Sequence, residues 1–153
     1  MVEILEPDID NQTVYVGSKV NGSSKGSLFN SEKDLYSYFL TSTKDKNGVI
    51  SHVLQVKVEY TSDNWRNYAS VSLCDKWRCN EDEKIDILIV STVANGCSSS
   101  SCKYTESIKF VLGKEQINKN MSSDLIFRIN SDNGSNKILV SSAYLKASIQ
   151  VIK

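Results

Sequence analysis

Val53-Leu-Gln-Val-Lys-Val-Glu-Tyr60 decides the fold class. Leu54, Val56, Val58 and Tyr60 alternate with Gln55, Lys57 and Glu59, a period of two that sends one face to a core and the other to water. Just upstream, Asn47-Gly48 supplies a hairpin turn. Downstream, Ala69, Val71 and Leu73 continue the alternation. Ile85, Ile87, Ile89 and Val93 form the next strand, and because Leu88 and Val90 fill its other face, it is expected to be central, covered on both sides and part of the core. Tyr104 to Leu112 and Leu125 to Ile129 alternate in the same way. The run Asn130-Ser-Asp-Asn-Gly-Ser-Asn136 then reverses the chain into Ile138 to Val140, and a last strand is expected over about Tyr144 to Ile152.

Two segments break this rhythm. Ser31 is placed to cap a short helix over Glu32 to Leu40, with Leu35 and Phe39 on one face; a strand is the alternative reading of these residues. Gly17 to Gly26, rich in Ser, Lys and Asn, reads as an exposed loop, and it has no phosphate-binding glycine pattern. The fold expected is all-β: an antiparallel two-sheet β-sandwich, Ig-like or related, with at most one short helix. A chain of 153 residues suits a single domain over 1–153, with residues 1–12 as a flexible N-terminal segment. Folding at this size buries about 70% of the unfolded surface.

The four cysteines form two pairs with the same spacing, Cys74/Cys79 and Cys97/Cys102. An even number confined to one segment points to disulfides in an exported chain. Two local rings would stabilise by roughly 2 kcal/mol apiece in the chain-entropy account, and the nested pairs Cys74/Cys102 and Cys79/Cys97 by roughly 3 to 3.5 kcal/mol each. Spacing alone does not choose between them. The competing reading is a four-thiolate zinc site in an intracellular interaction domain, but such sites usually place two residues between paired cysteines, not four.

Lys plus Arg equals Asp plus Glu, at 18 each, so no bulk field draws the chain to nucleic acid. No apolar run is long enough to span a membrane. The N-terminus, Met1-Val-Glu-Ile-Leu-Glu-Pro7, has neither the basic nor the apolar region of a signal peptide, so export implies that Met1 stands in place of a removed leader.

The sequence repeats Asp-x-Trp-Arg, as Asp63-Asn-Trp65-Arg66 with Tyr68 following and as Asp75-Lys-Trp77-Arg78 between two cysteines. Trp65, Arg66, Tyr68, Trp77 and Arg78 are therefore the candidate partner contacts, because flat aromatic faces desolvate readily and Arg adds directed hydrogen bonds. The competing role for Trp65, Arg66 and Tyr68 is structural, filling space and pairing charge at a strand entry. Trp77, in a polar loop, is the better candidate for exposure. His52, the single histidine, lies in no catalytic or metal-binding motif; a hydrolase using it with Asp45 or Asp63 and a serine is the enzymatic alternative. The carboxylates Asp8, Asp10, Glu81, Asp82 and Glu83 lack calcium-loop spacing and read as solvated loop charge. Asn11, Asn21, Asn120 and Asn133 head Asn-x-Ser/Thr triplets, which matter only in a eukaryotic secretory pathway.

Together, Asn47-Gly-Val-Ile-Ser-His52 leading into Leu54 to Tyr60, Trp65-Arg-Asn-Tyr68, Cys97-Ser-Ser-Ser-Ser-Cys102-Lys-Tyr104-Thr-Glu106 and Ser142-Ala-Tyr144-Leu-Lys-Ala147 resemble an uncharacterised class of bacterial cell-envelope domains, often lipoproteins. The resemblance covers most of the chain after Ser31; the Cys74/Cys79 pair is additional to it. It implies a β architecture and a periplasmic, outer-membrane-attached or secreted location, and transfers no catalytic residue. The function expected is that of a non-enzymatic envelope module that binds or builds, with an envelope protein or glycan as partner and no cofactor or metal.

Overall fold

The computed structural model describes residues 2–5, 12–25, 33–76 and 78–152. Among the described residues, eleven strands form two antiparallel sheets. The large sheet contains β1 (Glu3–Leu5), β2 (Thr13–Val16), β3 (Val20–Lys25), β4 (Lys33–Lys44), β5 (Ile50–Ser62), β8 (Ile89–Cys97) and β9 (Cys102–Leu112), in the order β1-β2-β4-β5-β9-β8 with β3 paired to β4 beside β2. The small sheet runs β11-β10-β6-β7, from β6 (Ser70–Asp75), β7 (Arg78–Asp86), β10 (Leu125–Ser131) and β11 (Gly134–Val140). Two short helices, α1 (Lys114–Lys119) and α2 (Ser142–Ile149), close the margins. The expected two-sheet antiparallel architecture is what the chain adopts.

The alternation of Val53 to Tyr60 sets the inner face. Leu54, Val56, Val58 and Tyr60 are buried and lie opposite Phe110, Ile108, Glu106 and Tyr104 of β9. From the small sheet, Val71, Phe127, Ile129, Ile138 and Val140 complete the core. Phe110 meets Phe127 edge to face across the gap, 5.1 Å between ring centres. The turn expected at Asn47-Gly48 joins β4 to β5: Gly48 has φ of 80°, and Asp45 Oδ1 accepts from the backbone N–H of Asn47 and Val49, both at 2.8 Å.

Several expectations are corrected. Residues 33–40 are strand, not helix; Ser31 and Glu32 lie outside the described residues. Leu35 and Phe39 share a face in either conformation, because four residues span a helical turn and also an even number of strand steps. The inner row Asp34, Tyr38 and Leu40 is what burial selects. The final segment is the helix α2, not a strand: Ser141 Oγ accepts from the Tyr144 N–H at 3.2 Å, and Leu145 and Ser148 are buried at a helical interval. Val20–Lys25, expected in a loop, is β3, and Glu3–Leu5, expected in a flexible segment, is β1. At the break between β2 and β3, the Tyr144 hydroxyl accepts from Leu40 N at 3.0 Å and donates to Ser18 O at 2.9 Å. A Cβ on Gly17 would lie 2.6 Å from that hydroxyl, so this close approach requires glycine.

The largest correction concerns residues 85–93. They do not form one central strand. The chain leaves the small sheet at Asp86 and enters the large one at Ile89, with Leu88 N–H donating to Lys109 O at 2.7 Å. β7 and β8 are thus two legs of one bent ribbon, each an edge strand. Ile85 and Ile87 pack against the core, whereas Leu88, Val90 and Val93 are 58%, 43% and 53% exposed.

Candidate functional site

Three constellations bear on function: a polar knot between the sheets, two disulfide-closed tips and the surroundings of His52. The knot contains the first Trp-Arg motif. β5 ends at Ser62 and the chain crosses to the small sheet through residues 63–69. There Arg66 turns inward, only 5% exposed, and its guanidinium meets Asp34 of β4 at 2.5 and 3.3 Å, Tyr68 Oη at 3.1 Å and Asn136 Oδ1 of β11 at 3.1 Å. Asn136 returns its amide to Asp34 at 2.7 Å and to Ser24 at 2.9 Å, and accepts from Tyr68 Oη. The Tyr60 ring lies under the guanidinium at 4.0 Å. Burial opposes the charge on Arg66, but the hydrogen bond to Asp34, followed by Tyr68, outweighs it and raises its pKa above the ordinary value.

Beside it, Glu106 is fully buried on β9. Its Oε1 accepts from Tyr60 Oη at 2.8 Å and Asn67 N at 3.0 Å, and Oε2 accepts from Tyr68 N at 3.2 Å. Tyr60 Oη in turn accepts from Arg66 N at 2.9 Å. This anchors Asn67 in its left-handed conformation, φ 56°. Burial is the main cause of the upward displacement of the Tyr60 and Tyr68 phenols. Trp65, half-buried, covers Tyr104 with ring centres 4.2 Å apart. Arg66 and Tyr68 are therefore withdrawn from any partner, because their polar atoms are consumed in joining the two sheets. Asp34, Glu106 and Asn136 were not among the candidate contacts; their inward places in alternating strands are what mark them.

All four cysteines are paired locally, Cys74 with Cys79 and Cys97 with Cys102. Each pair sits at directly opposed positions of an antiparallel hairpin, β6 with β7 and β8 with β9. No thiol remains to bind zinc, and among the described residues no group of three metal-ligating side chains assembles. The disulfides place the chain in an oxidising environment outside the cytoplasm. Cys79 is the second residue of the bent ribbon and Cys97 its last, so the two cysteine-closed tips lie at its opposite ends.

The tip at Cys74–Cys79 carries the second Trp-Arg motif. Arg78 is exposed and lies opposite Asp75, and Lys76 takes a left-handed turn with φ 52°. Trp77 lies outside the described residues. Below this tip, a hollow of about 490 Å³ separates the β6–β7 hairpin from α1, walled in part by Leu73, Asp75, Glu83, Lys119 and Asp124.

His52 Nδ1 lies 2.7 Å from the Oγ of Ser42, which is 1% exposed, and burial lowers the histidine's pKa below 6.5. The carboxylates proposed as its partners are elsewhere: Asp45 binds its own turn, and Asp63 follows the opposite end of β5. Among the remaining acidic candidates, Glu81 pairs with Arg128 at 3.4 Å and Asp82 and Glu83 are exposed on β7; Asp8 and Asp10 lie outside the described residues. No helix of the described residues is long and apolar enough to cross a membrane. No protein-family model, no curated protein and no solved structure matches the chain.

Proposed function

We propose that this chain is a non-enzymatic module of a bacterial cell envelope, periplasmic or attached to the outer membrane, that works by binding an envelope protein or glycan. The observation that supports it is the locked ribbon. β7 and β8 bury few side chains of their own, yet each is fastened to its hairpin partner by a disulfide. An exposed edge strand is ordinarily blunted or left to fray; here it is held in place, which suits a surface presented to a partner. The resemblance of the Asn47–Tyr60, Trp65–Tyr68 and Cys97–Glu106 segments to envelope domains supports the compartment. Arg78, exposed on the tip closed by Cys74–Cys79, and Trp77, its neighbour in sequence, are the proposed contact.

Fractionation of the producing cell, with thiol alkylation before lysis, tests the location. All four cysteines should resist alkylation in the envelope fraction; a cytoplasmic protein with alkylatable thiols would end the proposal. Trp77→Ala with Arg78→Ala should leave the unfolding midpoint unchanged while weakening retention on envelope material. Equal retention would move the contact off this tip.

A further inference from the structure

The zero net charge conceals a division of sign. Outward positions of β4, β5 and β9 carry Lys33, Lys57, Lys103 and Lys109 against a single acid, Glu59, whereas β7 carries Glu81, Asp82, Glu83 and Asp86 against Arg78 and Lys84. Lys33, Lys57 and Lys103, with Lys19 just before β3, border two hollows on the outer surface of the large sheet. One hollow of about 430 Å³ is bounded by Lys33, Glu59 and Lys103, and a second of about 180 Å³ by Lys19, Lys57 and Glu59. Leu35 and Glu59 line both, so the two hollows adjoin, and together they make a groove across β3, β4, β5 and β9 with Leu35 and Glu59 at its middle.

Register places its cations closely. Lys103 is directly opposite Thr61, Glu59 is opposite Leu35, and Lys33 stands two residues before Leu35. With about 4.8 Å between strands and about 6.6 Å between same-face residues, these charges share one short stretch of surface. Among the described residues, none of Lys19, Lys33, Lys57 and Lys103 has an ion pair. Asp34, which contributes to the wall, does not offset them, because it is committed to Arg66. Like charges gathered on a sheet face with Glu59 as the one acid among them work against folding, and an anionic ligand relieves that cost.

We propose that this groove binds a strand of carboxylated polysaccharide. The lysines would take its carboxylates as point charges, while Glu59, Asn21, Asn95 and Thr61 suit sugar hydroxyls, each offering an acceptor or donor beside the cations. Of the aromatic rings that line the groove, Tyr60 and Tyr104 are buried and Tyr36 is partly buried, so no row of exposed ring faces is present on which successive nucleic-acid bases would stack. The inference deepens the envelope-module reading by naming a ligand class, and it uses a surface other than the Trp77–Arg78 tip.

The test is titration of the oxidised protein with an oligogalacturonate, followed by amide chemical shifts, with a neutral dextran oligomer and an inorganic polyphosphate as companions. Shifts should appear at Lys33, Leu35, Glu59, Thr61 and Lys103, weaken with added salt, and be absent with dextran. Lys33→Glu with Lys103→Glu should weaken binding by at least about tenfold, since charge reversal replaces attraction by repulsion, at an unfolding midpoint no lower than that of the parent protein. No binding, shifts elsewhere or an unaffected double variant would overturn the site. Equal shifts with polyphosphate would overturn the sugar specificity. Any of these results obtained on a protein still oxidised and resident in the envelope would leave the broader reading standing, whereas loss of that location would remove the broader reading itself.

Discussion

Arg66 shows how a residue chosen for display can be built for concealment. Its guanidinium ties β4 to β11 through Asp34 and Asn136, so truncation strands a buried carboxylate. Arg66→Met should cost about 3–5 kcal/mol by denaturant unfolding, the loss typical of breaking one side of a buried pair; a cost below about 1 kcal/mol, the level of an exposed ion pair, would mean that the network is dispensable. Glu106→Gln is a subtler probe. A glutamine keeps one acceptor for Tyr60 Oη and Asn67 N but turns an N–H₂ toward Tyr68 N, and should cost about 2 kcal/mol for the unsatisfied donor. His52 sets a pH dependence. Burial holds its folded pKa below 6.5, so above pH 6.5 both states are neutral and stability is full. As pH falls through 6.5 toward the folded value, the unfolded chain takes up the proton first and stability declines. His52→Gln should flatten the urea midpoint over that interval, and an unchanged slope would assign the dependence to other groups.

At the scale of elements, the disulfides and the ribbon explain one another. Local rings of this size contribute roughly 2 kcal/mol each through the unfolded chain, an amount that matters most where burial contributes least. Reduction should therefore raise amide hydrogen exchange in residues 78–97 while β5 and the inner half of β9 stay protected; uniform acceleration across both sheets would show that the disulfides stabilise the whole domain rather than its edge. The same ribbon marks where sequence stops being legible. Strands with a wet face and a dry face, such as Leu54–Tyr60 and Tyr104–Leu112, announce themselves by alternation. Residues 85–93 are apolar on both faces, which periodicity reads as a strand covered on both sides. The cause is different: the chain changes sheets at 87–88, so Ile85 and Ile87 face the core while Leu88, Val90 and Val93 do not. The Arg66–Asp34 pairing was equally illegible, because its partners come from strands 32 residues apart and more, brought together by the stacking of sheets that no local pattern records. Nor did alternation reveal α2: its cap, Ser141, acquires meaning only once Leu145 and Ser148 are seen to reach the core.

On the scale of the whole molecule, buried phenols register whether the two sheets stay stacked. Tyr38 on β4 meets Tyr144 of α2 edge to face at 5.3 Å, and Tyr60 meets Tyr68 across the crossover at 6.4 Å. Burial is the leading cause that raises all four pKa values, Tyr38 from 10.0 to about 12. The folded state thus retains protons that the unfolded chain releases. Stability from these groups is complete below pH 10 and is lost as pH rises through the interval toward 12 and beyond. Because the phenols sit at the large sheet's contacts with α2 and with the crossover, ionising them requires those contacts to open together. Phenolate absorbance from these four tyrosines and near-ultraviolet circular dichroism should therefore change in one cooperative transition above pH 10. If every tyrosine ionised near pH 10 while the dichroism persisted, the crossover and α2 would be opening locally, and the sandwich would depend on its Phe110–Phe127 core rather than on the polar joints around it.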